Sequence, residues 1–371
     1  MQLYFLCFAG NSKKRSFHCI ENITFEALMK KYILLPVSMI LLAFVSCTEK
    51  LSLNEPWKEI MVIYGFLDHT QAVQYVRLTK TFLGDGDNSG YAKIPDSIYY
   101  DAKIIDVKLY EYAGNAATTL LRTITLRDTI LQDLPPGAFA QSPNRLFYTN
   151  QALDVANTYK IVAKNIRTGY EAKASTKLIS ILPLVSSSLF SVITGAGNDR
   201  SYSNFSFSQK STPSTKSFQC SLQFFFADSF NNGSVTEKML EYKYPLQILD
   251  NPKGGVTSNQ IINGRDFMGF LKSNRANAFP ANGAFRRARG VYLTQTVAAE
   301  ELTNYYSINK PSSALLLEKP VYTNITNGVG IFSSRAYRVQ GNLQRGGLMG
   351  LSDGTKQVLA SDSIGLGFVY P

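Results

Sequence analysis

Catalysis near neutral pH needs a base, a nucleophile or a metal ligand, and these 371 residues offer two histidines, His18 and His69, and four cysteines. No His or Cys pair stands at a spacing that zinc could use. Gly350-Leu351-Ser352-Asp353-Gly354 spells the nucleophile-elbow pattern, in which a strand-to-helix turn presents a serine to a histidine base. That chemistry requires a later histidine, and none follows position 69, so the stretch reads as a Gly-flanked turn, with a Ser/Lys pair as the catalytic alternative. Asp85, Asp87, Ser89, Gly90 and Asp96 fall at positions 1, 3, 5, 6 and 12 of a calcium loop, where alternating oxygens converge on a hard cation. Calcium is the one cofactor suggested. Position 12 is Asp instead of a bidentate Glu, and strands flank the segment, so a solvated connector is the competing reading. Lys253, Arg265, Lys272, Arg275, Arg286, Arg287 and Arg289 face only Asp266 within their stretch. Such a cluster suits an acidic glycan, lipid phosphates or an acidic partner, against dispersal over a solvated face. Tyr99-Tyr100, Tyr305-Tyr306 and Trp57 are candidates for stacking on sugars, or strand fillers.

These residues need a location and a scaffold. Met29-Lys30-Lys31 opens an apolar run, Ile33 to Val45, that closes at Ser46-Cys47. The run is too short to span a bilayer, which takes about 20 helical residues, and its basic start and small residue before the cut make a secretory signal. Cys47 directly after Ser46 makes the segment resemble a lipoprotein signal, in which the thiol receives a diacylglycerol; an ordinary secretory signal is the alternative. Residues 1–28 then read as a misassigned start, 29–46 as the signal and 47–58 as a tether. The formal charge of +11 falls to +8 over residues 48–371, with 33 basic and 25 acidic side chains. That surplus favours anionic surfaces, while the absence of a long Lys/Arg run with interleaved aromatics argues against nucleic acid.

The scaffold reads as mainly β. Lys103 to Glu111 alternates, with Ile105, Val107 and Leu109 on one face and Asp106 and Lys108 on the other. Glu59 to Leu67, Val73 to Phe82, Leu121 to Leu131, Thr158 to Lys164 and Tyr170 to Lys177 have similar content and are separated by turn residues. They predict an immunoglobulin-like β-sandwich over 59–182. A second β-rich domain with one or two short helices follows over 183–371. Ser186 to Ser208 reads as a linker or as that domain's first strands. Phe218, Cys220, Leu222, Phe224 and Phe226 share a strand face, which makes Cys220 a core residue. Helices are expected near 265–273 and 298–307, the second capped by Thr296 or Val297 with Glu300-Glu301 at the positive end of its dipole.

Val62-Ile63-Tyr64-Gly65-Phe66-Leu67, Gln74-Tyr75-Val76-Arg77-Leu78, Phe82 to Gly86 and Asp96 to Tyr100 together resemble the domain of unknown function 4249 family of Bacteroidota lipoproteins. Pro320 to Arg335 resembles that family's C-terminal signature. The resemblance implies a cell-envelope lipoprotein, often of carbohydrate- or nutrient-uptake bacteria, and with the signal pattern the chain reads as lipid-anchored at the outer membrane. It supplies no activity and no site residues.

Two functional classes follow. One is a non-enzymatic, membrane-tethered binding or accessory protein beside an outer-membrane transporter, with a glycan or the transporter as partner. The other is a carboxylate-based, glycosidase-like hydrolase, which needs two carboxyls about 5–9.5 Å apart in a cleft.

Overall fold

The computed structural model describes residues 58–81, 88–132, 143–195, 197–250, 253–274, 285–309, 322–341, 347–361 and 364–370. The first half of the chain supplies Met61–Leu67 (β1), Gln74–Lys80 (β2), Ile105–Tyr112 (β3), Leu120–Thr125 (β4), Arg127–Leu131 (β5), Asn144–Thr149 (β6), Thr158–Asn165 (β7) and Glu171–Lys177 (β8). Alternation sets their faces: in β1, Met61, Ile63, Gly65 and Leu67 are buried while Tyr64 and Phe66 point outward. A sheet of order β4-β3-β7-β8 faces β1-β2-β6-β5 across a core that includes Ile63, Val107, Leu109, Tyr159 and Ile161. This is the expected sandwich. The segment Leu121 to Leu131, read as one strand, is two. At Leu126, whose N–H donates to Val107 O at 2.9 Å, the chain leaves one sheet for the other.

The second half supplies Asn204–Lys210 (β9), Ser217–Ser229 (β10), Val235–Lys243 (β11), Thr257–Asn263 (β12), Phe285–Ala298 (β13) and Gly328–Gln340 (β14). It also holds the helices Gly264–Ser273 (α1), Glu300–Ile308 (α2) and Asp353–Leu359 (α3). The Ser-rich stretch is not a linker throughout: in β9, Phe205 and Phe207 alternate inward between serines. Phe218, Cys220, Leu222, Phe224 and Phe226 of β10 are all buried, as the alternation predicts. Phe224 and Phe226 pack with Phe205, Phe207 and the α1 residues Phe267, Met268 and Leu271. Asn263 caps α1 by accepting the Arg265 N–H at 2.8 Å.

Neither the sheets nor the cores divide at 182/183: Ile325 and Phe332 pack into the sandwich core, and Ile179 packs with Phe218 and Val297. One sheet, β11-β10-β13-β14-β1-β2-β6-β5, runs through both halves, and residues 56–371 form one compact unit. Its seam is the parallel pairing of β1 with β14, Met61 opposite Gly328 and Leu67 opposite Ser334. Two glycines of β14 make the seam possible. Gly330 has φ +113°, and a Cβ there would sit 2.1 Å from Ile63 O; at Gly328 it would sit 2.7 Å from Met61 O. Asn324 fastens the same segment, accepting the Phe332 N–H at 3.0 Å and donating to Phe332 O at 2.7 Å.

Helix α2 forms where expected, but its cap is different. β13 stays in the sheet through Ala298, so Thr296 and Val297 are strand residues and Ala299 occupies the cap position without a side-chain bond. The missing acceptor comes from β14: Ser333 Oγ accepts the Leu302 N–H at 3.2 Å.

Candidate ligand groove

The outer face of the main sheet carries aromatic side chains. Period-2 alternation places Tyr64 and Phe66 of β1 outward, Tyr75 beside them on β2, and Arg335 and Tyr337 on β14. Thr296 lies opposite Tyr337 in the β13–β14 register. These residues, with Asp68, Gln71, Val73 and Gln74 from the β1–β2 turn, line a groove of about 440 Å³.

The turn is built to hold its shape. Gln74 accepts the Asp68 N–H at 2.8 Å and donates to Asp68 O at 2.8 Å and Gln71 O at 3.0 Å. Asp68 Oδ1 accepts the Thr70 N–H at 2.9 Å and its hydroxyl at 2.5 Å. Across the floor, Arg335 places its guanidinium carbon 5.5 Å from the centre of the Phe66 ring. On the far flank Arg127 sits 5.3 Å from the Tyr148 ring centre, and Tyr148 packs 6.3 Å from Tyr75. A row of rings thus runs across the strands with a guanidinium at each end. Burial, then the neighbouring Tyr305, raises the Tyr64 hydroxyl pKa; burial, then Glu241, raises that of Tyr337. Both remain neutral hydrogen-bonding hydroxyls at pH 7.

The sequence candidates fall elsewhere. Cys47, Trp57, Asp85, Asp87 and Arg275 lie outside the described residues. Ser89 belongs to a helical turn, Asn88–Tyr91, and Asp96 is exposed on another, Pro95–Ile98, both within the connection from β2 to β3. Among the described residues no three His, Cys, Asp or Glu side chains gather to hold a metal. Ser352 follows a two-residue strand and caps α3, accepting the Thr355 N–H at 3.3 Å.

Within the basic stretch Lys253, Arg265, Lys272, Arg287 and Arg289 are exposed, but Arg286 is not available for docking. It is 2 % exposed, pairs with Asp228 through Nε at 2.6 Å and Nη2 at 2.9 Å, and its guanidinium carbon lies 4.6 Å from the Phe226 ring centre. Arg289 pairs with Glu237 at 3.0 Å. Arg265 packs over Tyr202 and Arg287 over Phe285. Tyr99 and Tyr100 are buried and present no stacking surface; Tyr306 is exposed, and Tyr305 packs against the cluster under α2.

Burial raises the Glu301 carboxyl above its ordinary value, the property a general acid needs. Its Oε2 accepts from Ser333 Oγ at 2.9 Å and Thr176 Oγ1 at 3.1 Å, which joins α2 to both sheets. Glu301 is outside the groove lining, where Asp68 is the one carboxylate.

Cys220, 1 % exposed, donates to Gln209 Oε1 at 3.3 Å, and burial pushes its thiol up to about 12. In native protein at pH 8, iodoacetamide should therefore leave the Cys220 peptide unmodified, and denaturant should expose it, as peptide mapping would show. Modification at the rate of a free thiol would remove Cys220 from the core.

Sequence reasoning missed Tyr64, Phe66, Tyr75, Arg335 and Tyr337 as a group. Alternation in Val62 to Leu67 was signal enough for the first two, but nothing local joins them to residues of β14. No family model and no curated protein matches the sequence. Among solved structures the chain is similar to the C-terminal globular domain of an oligosaccharyltransferase from Pyrococcus abyssi, at 10 % identity and a TM-score of 0.22. The match covers 71 % of this chain and 56 % of that one. By its own geometry the chain is a mainly β protein carrying an aromatic groove on the outer face of its central sheet.

Proposed function

We propose that the protein is a non-enzymatic binding component of the cell envelope, tethered by a lipid on Cys47, and that the groove is its recognition face. The groove carries this reading: it offers exposed rings, neutral hydroxyls and a guanidinium, with Asp68 as its single acid. Glycoside hydrolysis needs two flanking carboxyls, and Glu301 is committed to Ser333 and Thr176 beneath α2. The tether rests on the basic-apolar-Ser-Cys pattern of residues 29–47, and a place beside an outer-membrane transporter rests on the family resemblance. Two or more acyl chains anchor durably where one does not.

Full-length protein purified from membranes should carry an acylated N-terminal Cys47 by mass spectrometry, and Cys47→Ala should leave it unlipidated. As bait on solubilised envelopes, wild type should retain a glycan or transporter that the Tyr75→Ala/Arg335→Gln variant loses. Equal recovery by both baits rejects the groove as the recognition face; turnover of a glycan by the purified protein rejects the binding-only reading.

A further inference from the structure

We infer that the groove takes a saccharide bearing a carboxylate, a hexuronic acid unit, with Arg335 reading the acid and the rings reading the sugar face; this rests on the reading of the groove as a recognition site. The first argument is position. The groove lies where β14 changes partners: β1 pairs with it as far as Ser334, and β13 pairs with it from Arg335 onward. Its lining is a set of side chains from β1, β2, their turn, β13 and β14.

The second argument is what those side chains offer. Tyr64 and Tyr75 are each 40 % exposed and Tyr337 39 %, high for rings in the middle of a sheet. They present flat apolar faces edged by neutral hydroxyls, with the Gln71 amide and Thr296 hydroxyl beside them. The matching ligand has an apolar face and a polar rim, as a pyranose does, and Tyr side chains suit it because they combine both characters.

The third argument is charge. Arg335 is exposed, and among the described residues no carboxylate pairs with it. Its guanidinium carbon lies 5.5 Å from the Phe66 ring centre, and a guanidinium fork matches a planar carboxylate. The groove's own acid, Asp68, is 3 % exposed and already accepts two hydrogen bonds from Thr70, so it competes weakly for Arg335. One guanidinium among rings suits one carboxylate per sugar. It does not suit the dense phosphates of nucleic acid, which call for many cations.

The test uses full-length protein in detergent and calorimetric titration with galacturonate, glucuronate and mannuronate oligomers and their carboxyl-reduced, neutral counterparts. At least one acidic oligomer should bind about tenfold or more tightly than its neutral form, a gap expected for one charge-assisted contact. Arg335→Gln should remove that gap by weakening the acidic oligomer alone, and Tyr75→Ala should weaken both forms. Unchanged melting temperatures exclude misfolding as the cause. Equal binding of acidic and neutral forms, or a gap that survives Arg335→Gln, overturns the carboxylate assignment while leaving the groove a binding site. Binding of no saccharide, or of extended peptides instead, overturns the inference; the bait comparison with Tyr75→Ala/Arg335→Gln decides separately whether the groove is a recognition face at all.

Discussion

Gly330→Ala should lower the melting temperature by roughly 6 °C, the equivalent of about 4 kcal/mol in a chain of this size. Two effects combine. At φ +113° an L side chain is strained by about 1–3 kcal/mol, and the new methyl group would stand 2.1 Å from Ile63 O, 2.9 Å from Ile63 C and 3.1 Å from Ile63 N. All three contacts are backbone, so no side chain can swing aside; β14 must move off β1. Gly269→Ala supplies the control. Its site on α1 is exposed with nothing within 4 Å, and alanine there should hold or raise stability by up to about 1 kcal/mol. Matching melting curves for the two variants in a thermal scan would falsify the close parallel seam.

Asp228→Ala should cost about 3–5 kcal/mol, because it strands Arg286 in the interior without its carboxylate. Asp228 is 0 % exposed and also receives Lys238 Nζ at 2.7 Å. Replacing both partners with apolar groups of similar size, as in Asp228→Leu with Arg286→Met, should restore most of that loss, since no buried charge is left behind. The pH dependence has a fixed sign. Burial pushes the Asp228 carboxyl up, but hydrogen bonds and charge from Arg286 and Lys238 outweigh it and hold its pKa below the ordinary value. A carboxyl lowered on folding stabilises the native state above its unfolded pKa of about 4, and that contribution fades as pH falls through the folded value. In urea titrations the wild type should lose stability between pH 5 and pH 2.5 more steeply than the double variant. Parallel pH profiles would show that Asp228 carries no ionised pair.

The features legible from sequence are those fixed by neighbours along the chain. β1, β3 and β10 announce themselves because an alternating apolar row must face a core. α1 is marked by Asn263 at its start and by Phe267, Met268 and Leu271 on its buried side. Features set by partners distant in sequence are not legible. Thr296 looks like a cap because a helix follows it, yet pairing with β10 and β14 keeps its strand in the sheet past that point. Arg286 counts as a surface cation until Asp228, 58 residues earlier, is placed against it. Glu301 looks like a dipole-facing surface acid, and only the arrival of Ser333 and Thr176 buries it. The groove is illegible for the same reason: its rings come from β1 and β2 and its guanidinium from β14. Gly328 and Gly330 announce only that some crowding or turn is near; that the crowding is the backbone of Met61 and Ile63 is set by β1, more than 260 residues earlier.

The β1–β14 seam also dictates when in its life the protein can complete its central sheet. Thr70 and Tyr337, which meet across the groove, are separated by 267 positions in the chain. At translation rates of about 5–20 residues per second, β1 waits on the order of tens of seconds for its neighbour to be made. Until then the nascent sandwich ends in an unsatisfied strand edge flanked by Tyr64 and Phe66, a template for errant pairing that a holding chaperone would have to shield. Contacts of such long range also slow the final closure. The groove is therefore the last feature the polypeptide completes: a product halted before Gly328 holds Tyr64, Phe66 and Tyr75 yet has neither Arg335 nor Tyr337 to line the other side.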